Sequence, residues 1–177
     1  MKKILILFLF LFCIPIIKAE EVEDLAPNAT SAIMIEASTG EILFQKNKDE
    51  KLAPASMTKM MSMLIIIEEI ENGNLKWDEM ITTSERASSM GGSQIFLKAG
   101  EKMSVTDLLK GIAIASGNDA VVALAERISG SEESFVKRMN ARAKDLGLKN
   151  TNFVNSTELT EDNHYSSAYD MSLIAKE

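Results

Sequence analysis

Ser56 and Lys59 stand three residues apart in "PASMTKMM", at the head of an apolar stretch. On a helix that spacing puts both side chains on one face. In the first turn, unpaired N–H groups and the helix dipole favour the negative charge that would develop on a reacting serine oxygen. A lysine one turn later, beside methionines and isoleucines, loses hydration, which lowers its pKa and lets it act as a base. The pair therefore has the chemistry of a serine nucleophile and its general base. The plain alternative is a helix-start serine followed by a solvated lysine. Spacing does not choose between them, because Ser134 and Lys137 repeat it.

Ser116-Gly117-Asn118 is the second constellation. It falls at a break between two apolar helical stretches, where a polar hairpin can reach into a cleft. A serine there can pass a proton and an asparagine can hold an amide. The same three residues also serve as a helix end followed by the cap of the next helix. His164 is the one histidine, in a polar stretch that reads as surface. A Ser-His-Asp triad would need it. No carboxylate or histidine cluster has metal-ligand spacing, and no metal or other cofactor is expected. "GGS" at 91–93 lacks the lysine and preceding strand of a phosphate loop.

These side chains need elements to position them. Residues 31–36 and 41–46 are short, β-branched and apolar, with Gly40 between them, and predict a hairpin. Pro54 opens a helix that runs to about Glu71, where Asn72-Gly73-Asn74 stops it. Its apolar residues cover most of the circumference, so it is expected at the centre of the domain. Residues 75–100 are irregular, with a loop at 88–93. Ser104 and Asp107 start a helix that ends near Ser116-Gly117. Asn118 begins a second, closed by Gly130, and Ser131 caps a third that ends before Gly147. Helical character resumes at "SSAYDMSLIAKE" and reaches Glu177 without a stop signal, which suggests a fragment. A strand pair followed by a helical block predicts an α+β fold with part of its sheet missing.

At the N-terminus, Lys2 and Lys3 precede an apolar run over 4–17, and Ala19 precedes an acidic stretch. This describes a secretory signal peptide over residues 1–19, removed on export, rather than an uncleaved anchor. Cleavage removes Cys13, the one cysteine, and with it disulfides and thiol catalysis. It also takes the formal charge from −7 to −10, because three lysines and no acids leave. That balance argues against nucleic-acid partners and against electrostatic adhesion to anionic lipids.

Six stretches occur together in order: "PASMTKMM", "MGGSQIFLKAGE", "GIAIASGNDAVVALAE", "SFVKRMN", "LGLKNTNF" and "HYSSAYDM". From Ala32 onward the chain resembles the D-alanyl-D-alanine carboxypeptidases, the low-molecular-mass penicillin-binding proteins. The resemblance implies a serine β-lactamase/transpeptidase fold, with a helical cluster packed on an antiparallel sheet. Residues 20–177 would be the N-terminal part of the catalytic domain. The resemblance further implies Ser56 as acylated nucleophile, Lys59 as general base, Ser116 as proton relay to the leaving D-alanine, and Asn118 as holder of the substrate amide. The implied partners are peptidoglycan stem peptides ending in D-Ala-D-Ala, and β-lactams, which acylate the same serine. It also implies an extracytoplasmic location, with membrane association through a C-terminal segment that this sequence lacks.

Two departures accompany the resemblance. The family's Lys-Thr-Gly motif is absent from these residues, and losing an oxyanion donor costs about 10²–10³ in rate. A truncated, inactive penicillin-binding fragment is therefore one alternative. The other departure is "NSTEL" at 155–159, where relatives have Asn-x-x-Gly-Leu. If the glycine needs a positive φ, Glu158 would strain the loop by roughly 1–3 kcal/mol. A β-lactamase that deacylates through Glu158 is the second alternative, and a drifted surface loop is the expected reading of that residue.

Overall fold

The computed structural model describes residues 24–177, so the expected signal peptide lies outside the described residues. The predicted hairpin forms from β1 (Ala32–Ile35) and β2 (Ile42–Lys46), antiparallel, with a register irregularity between Met34 and Ile35. The elements that follow are α1 (Thr58–Glu71), β3 (Met80–Thr82), α2 (Glu85–Ser88), β4 (Lys102–Ser104) and α3 (Val105–Ala115). The chain closes with α4 (Asn118–Ser129), α5 (Glu132–Asp145) and α6 (Ala168–Lys176). The fold is α+β. β1 rests on α6, which also meets α1, while β3 and β4 pair antiparallel as a second small sheet touching α4 and α3.

The helix boundaries follow their caps. Ser104, Ser131 and Ser167 each have extended backbone and accept an N–H three residues on, from Asp107, Ser134 and Asp170. Gly130 ends α4 in the left-handed conformation, which a glycine adopts without steric cost.

Two expectations need correction. The α1 helix starts at Thr58, and Ser56 lies just ahead of it in a 3₁₀ turn over Ala55–Met57. The centre of the domain is α4, not α1. Every residue from Asn118 to Ala125 is buried, and α4 packs against α1, α2, α3 and α5. The α1 helix buries one face through Met61, Ser62, Ile65 and Ile66. Ile67, on the other side, is 39% exposed. The physical reason lies in size: α4 is rich in alanine and valine, so neighbouring helices approach it closely, whereas α1, although it touches α3, α4, α5 and α6, leaves its bulky Met60, Met63, Leu64 and Ile70 only partly buried.

Candidate active site

Ser56, Lys59, Ser116 and Asn118 come together at the junction of three elements. The 3₁₀ turn supplies Ser56, and Ala55 before it takes a positive φ of 48°. The first turn of α1 supplies Lys59, which is 2% exposed. The break between α3 and α4 supplies the other two. Ser116 is there in the left-handed region, φ 56° and ψ 34°, so the chain reverses sharply and turns its hydroxyl toward the α1 start. Asn118 opens α4 and is fully buried.

Lys59 Nζ donates to Ser116 Oγ at 2.9 Å, and Ser116 Oγ lies 3.1 Å from Ser56 Oγ. The ammonium and the Ser56 hydroxyl are thus connected through Ser116. Burial pushes the Lys59 pKa down, and the neighbouring Glu158 carboxylate opposes that shift without cancelling it. Asn118 Nδ2 donates to the Gly91 carbonyl at 2.7 Å, while its buried Oδ1 has no partner among the described residues.

The sequence reading missed Glu158 as a member of this group. Glu158 does not lie in a drifted surface loop, and its side chain is 15% exposed. Its Oε2 accepts the Ser56 hydroxyl in a short hydrogen bond, and also lies 2.9 Å from Lys59 Nζ and 3.2 Å from Ser116 Oγ. Its Oε1 accepts the Ser93 N–H at 2.9 Å and lies 3.4 Å from Asn118 Nδ2. Burial alone would raise the Glu158 pKa, but the hydrogen bonds from Ser56 and Ser93, joined by Lys59, outweigh it and hold the carboxyl well below the usual carboxylate range. The expected strain is also absent: Glu158 is not among the residues with positive φ.

The loop signal at 88–93 has a specific purpose. Gly92 has φ +74°, and a Cβ there would sit 2.7 Å from Asn118 Nδ2 and 2.9 Å from Glu158 Oε1. Gly92→Ala is expected to lower stability by about 1–2 kcal/mol from the left-handed backbone alone, with displacement of both polar groups in addition. Urea unfolding checks the loss, and the backbone amide shift of Ser93 reports the displacement.

His164 is a second correction. It is 4% exposed, not a surface residue. Its Nδ1 accepts the Val154 N–H at 3.1 Å and its Nε2 meets Thr58 Oγ1 at 2.8 Å. It braces the α1 start and makes no bond to Ser56, so no Ser-His pair forms. Among the described residues no group of three His, Cys, Asp or Glu side chains could hold a metal, and no helix is long and apolar enough to cross a membrane. A hollow of about 680 Å³ lined by Lys48, Asp49, Tyr169 and Asp170 includes none of the five site residues. The chemistry lies in the Ser56 cluster.

Comparison with known proteins gives the family and the fold. The sequence profile described as Peptidase S11, D-alanyl-D-alanine carboxypeptidase, matches residues 18–177. The chain is 63% identical over 154 residues to D-alanyl-D-alanine carboxypeptidase DacF of Bacillus subtilis strain 168, covering 87% of this chain and 40% of that protein. The structure superposes on D-alanyl-D-alanine carboxypeptidase DacD from Francisella tularensis with a TM-score of 0.83 and 45% identity, over 84% of this chain and 36% of the other. For penicillin binding protein 5 from Haemophilus influenzae the TM-score is 0.81 and the identity 39%, over 84% of this chain and 44% of the other. The fold is thus that of the penicillin-binding proteins, represented by part of the domain, and the chain spans about 40% of the length of its B. subtilis relative. With the profile matched from residue 18 to residue 177, the chain belongs to the D-alanyl-D-alanine carboxypeptidase family.

Proposed function

We propose that this chain carries the nucleophile-bearing part of a serine D-Ala-D-Ala carboxypeptidase that trims peptidoglycan stem peptides outside the cytoplasm. Residues 1–19 act as its export signal, and membrane association falls to a C-terminal segment outside residues 1–177. In the first half-reaction Ser56 Oγ bonds to the carbonyl carbon of the penultimate D-alanine. The C–N bond to the terminal D-alanine breaks, and the serine proton passes by Lys59 and Ser116 to the departing amine. Water then hydrolyses the ester, releasing the shortened peptide. Asn118 holds the substrate amide. A β-lactam enters the same first half-reaction and stops at the acyl-enzyme.

The observation that carries this reading is the hydrogen-bonded chain Lys59–Ser116–Ser56, with a lysine whose burial pushes its pKa down toward the range of a general base. A purely binding role would not need a desolvated lysine joined to Ser116 and through it to Ser56. The test is to incubate the chain with a fluorescent penicillin and map any adduct by peptide mass. A stable adduct on the peptide containing Ser56 is expected. A folded chain that forms no adduct, or one labelled elsewhere, would sink the reading.

A further inference from the structure

Glu158 is paired with the two residues that must be free for the reaction proposed above. An ammonium cannot accept a proton, and Lys59 Nζ lies 2.9 Å from Glu158 Oε2. A serine hydroxyl that donates to a carboxylate directs its proton away from the relay, and Ser56 donates to the same Oε2. Five donors converge on this one carboxylate: the Ser56 and Ser116 hydroxyls, the Lys59 ammonium, the Ser93 N–H and the Asn118 amide. Such a set is an anion pocket, and here it is filled from within.

The loop that delivers the carboxylate is built to hold it there. Ser156 N–H and Oγ both donate to Glu132 Oε1, and Ser62 Oγ donates to the Ser156 carbonyl at 2.7 Å. Asn155 Oδ1 accepts the Thr157 N–H at 3.1 Å, and Asn155 Nδ2 donates to the Leu159 carbonyl at 2.7 Å. With residues 155–159 tied to α1, α5 and themselves, Glu158 reaches the pocket from a fixed backbone. Its release is a side-chain rotation and not a loop opening. Apart from Lys59, the groups bonded to the carboxylate are neutral. Asp119, next to Asn118, is turned to the Ile95 and Leu97 N–H groups.

We propose that Glu158 is an internal carboxylate lock: it occupies the anion pocket over Ser56, holds Lys59 as an ammonium, and must swing out before the serine can be acylated. This rests on the reading of Ser56 as nucleophile, and it makes the rate of acylation, rather than the affinity for donor, the quantity that Glu158 controls. A substrate whose own carboxylate takes over the donors would release the lock. Neutral ligands would not.

The test compares wild type, Glu158→Gln and Glu158→Gly in the full chain by two readouts. One is the rate of adduct formation with benzylpenicillin, followed by intact mass. The other is the titration of Lys59, followed through its labelled Cε. Glutamine keeps the shape of the side chain without its charge, and glycine removes it. Both variants are expected to lower the Lys59 midpoint by about one pH unit, which raises the neutral fraction and the acylation rate about tenfold. An unchanged Lys59 midpoint overturns the lock. So does acylation that is unchanged or slower in both variants, the latter marking Glu158 as a promoting group. Adducts that form at the wild-type rate but are lost more slowly also overturn it and assign Glu158 to hydrolysis. If the Lys59 midpoint falls but no protein is acylated, wild type included, the pairing of Glu158 with the ammonium stands, and it is the reading of Ser56 as nucleophile that fails and takes the lock with it.

Discussion

Lys59→Met is expected to slow acylation of Ser56 by penicillin by about 10²–10⁴-fold, the range lost when a positioned proton acceptor is removed. Methionine nearly matches the volume and unbranched shape of the lysine stem, so the buried slot stays filled. What disappears is the ammonium that donates to Ser116 Oγ and Glu158 Oε2. Two consequences follow, and they separate. The Ser116 relay loses its terminus, which affects the rate. Glu158 loses its cation, which affects stability. Breaking a buried ion pair from one side costs about 3–5 kcal/mol, and the low end applies because the Glu158 end meets solvent. The double variant Lys59→Met/Glu158→Gln removes the stranded charge. It is expected to recover most of the stability lost in Lys59→Met and none of the acylation rate. Urea midpoints and adduct formation by intact mass measure the two separately. Recovery of acylation in the double variant would mean that Lys59 acts by neutralising Glu158 and not as a base.

Much of the frame that positions this site was legible in the sequence because it is written locally. Ser104, Ser131 and Ser167 announce helix starts within three residues of their partners, and Gly130 announces an end. The break at Ser116-Gly117-Asn118 was readable from two apolar runs that stop and restart. Ser56 and Lys59 were readable as a pair from their three-residue spacing, whereas the 3₁₀ turn that holds Ser56 ahead of α1 was not. What escaped was set by long-range partners. The strands β3 and β4 have three residues each, too few to show an alternation, and they pair across residues 83–101. Asp119 reads as an ordinary first-turn acid, yet it is fully buried and anchors the Ile95 and Leu97 N–H groups. Glu158 meets Ser56 across 102 residues of sequence. The nearest local signal was Asn155, whose side chain accepts the Thr157 N–H and donates to the Leu159 carbonyl and so braces the turn that delivers the carboxylate. Reading Glu158 as a replacement for glycine drew attention to backbone strain, whereas its effect lies in where the side chain ends.

His164→Phe is expected to destabilise the domain by about 2–4 kcal/mol, because two buried polar groups lose their partner at roughly 1–3 kcal/mol each. Those groups are the Val154 N–H and Thr58 Oγ1. Phenylalanine keeps an aromatic ring near Phe153, whose centroid lies 6.0 Å from the imidazole, so the loss isolates the hydrogen bonds from the packing. Since Nδ1 accepts from Val154, the neutral ring carries its proton on Nε2 and gives it to Thr58. Protonation at Nδ1 would place two donors face to face. Burial accordingly pushes the His164 pKa below its ordinary value, with Glu161 opposing. In the unfolded chain the imidazole takes up its proton near pH 6.5, while in the folded chain it resists until lower pH. The contribution of His164 is therefore complete above about pH 6.5 and falls as the pH drops toward the folded pKa. Urea unfolding at pH 8 and again near pH 5.5 should show wild type losing stability across that interval, and His164→Phe should lack that part of the loss. Because Thr58 lies two residues beyond Ser56, the same variant should also loosen the 3₁₀ turn and slow acylation even at pH 8. A variant with wild-type acylation and an unchanged pH 8 midpoint would show that the imidazole only fills space.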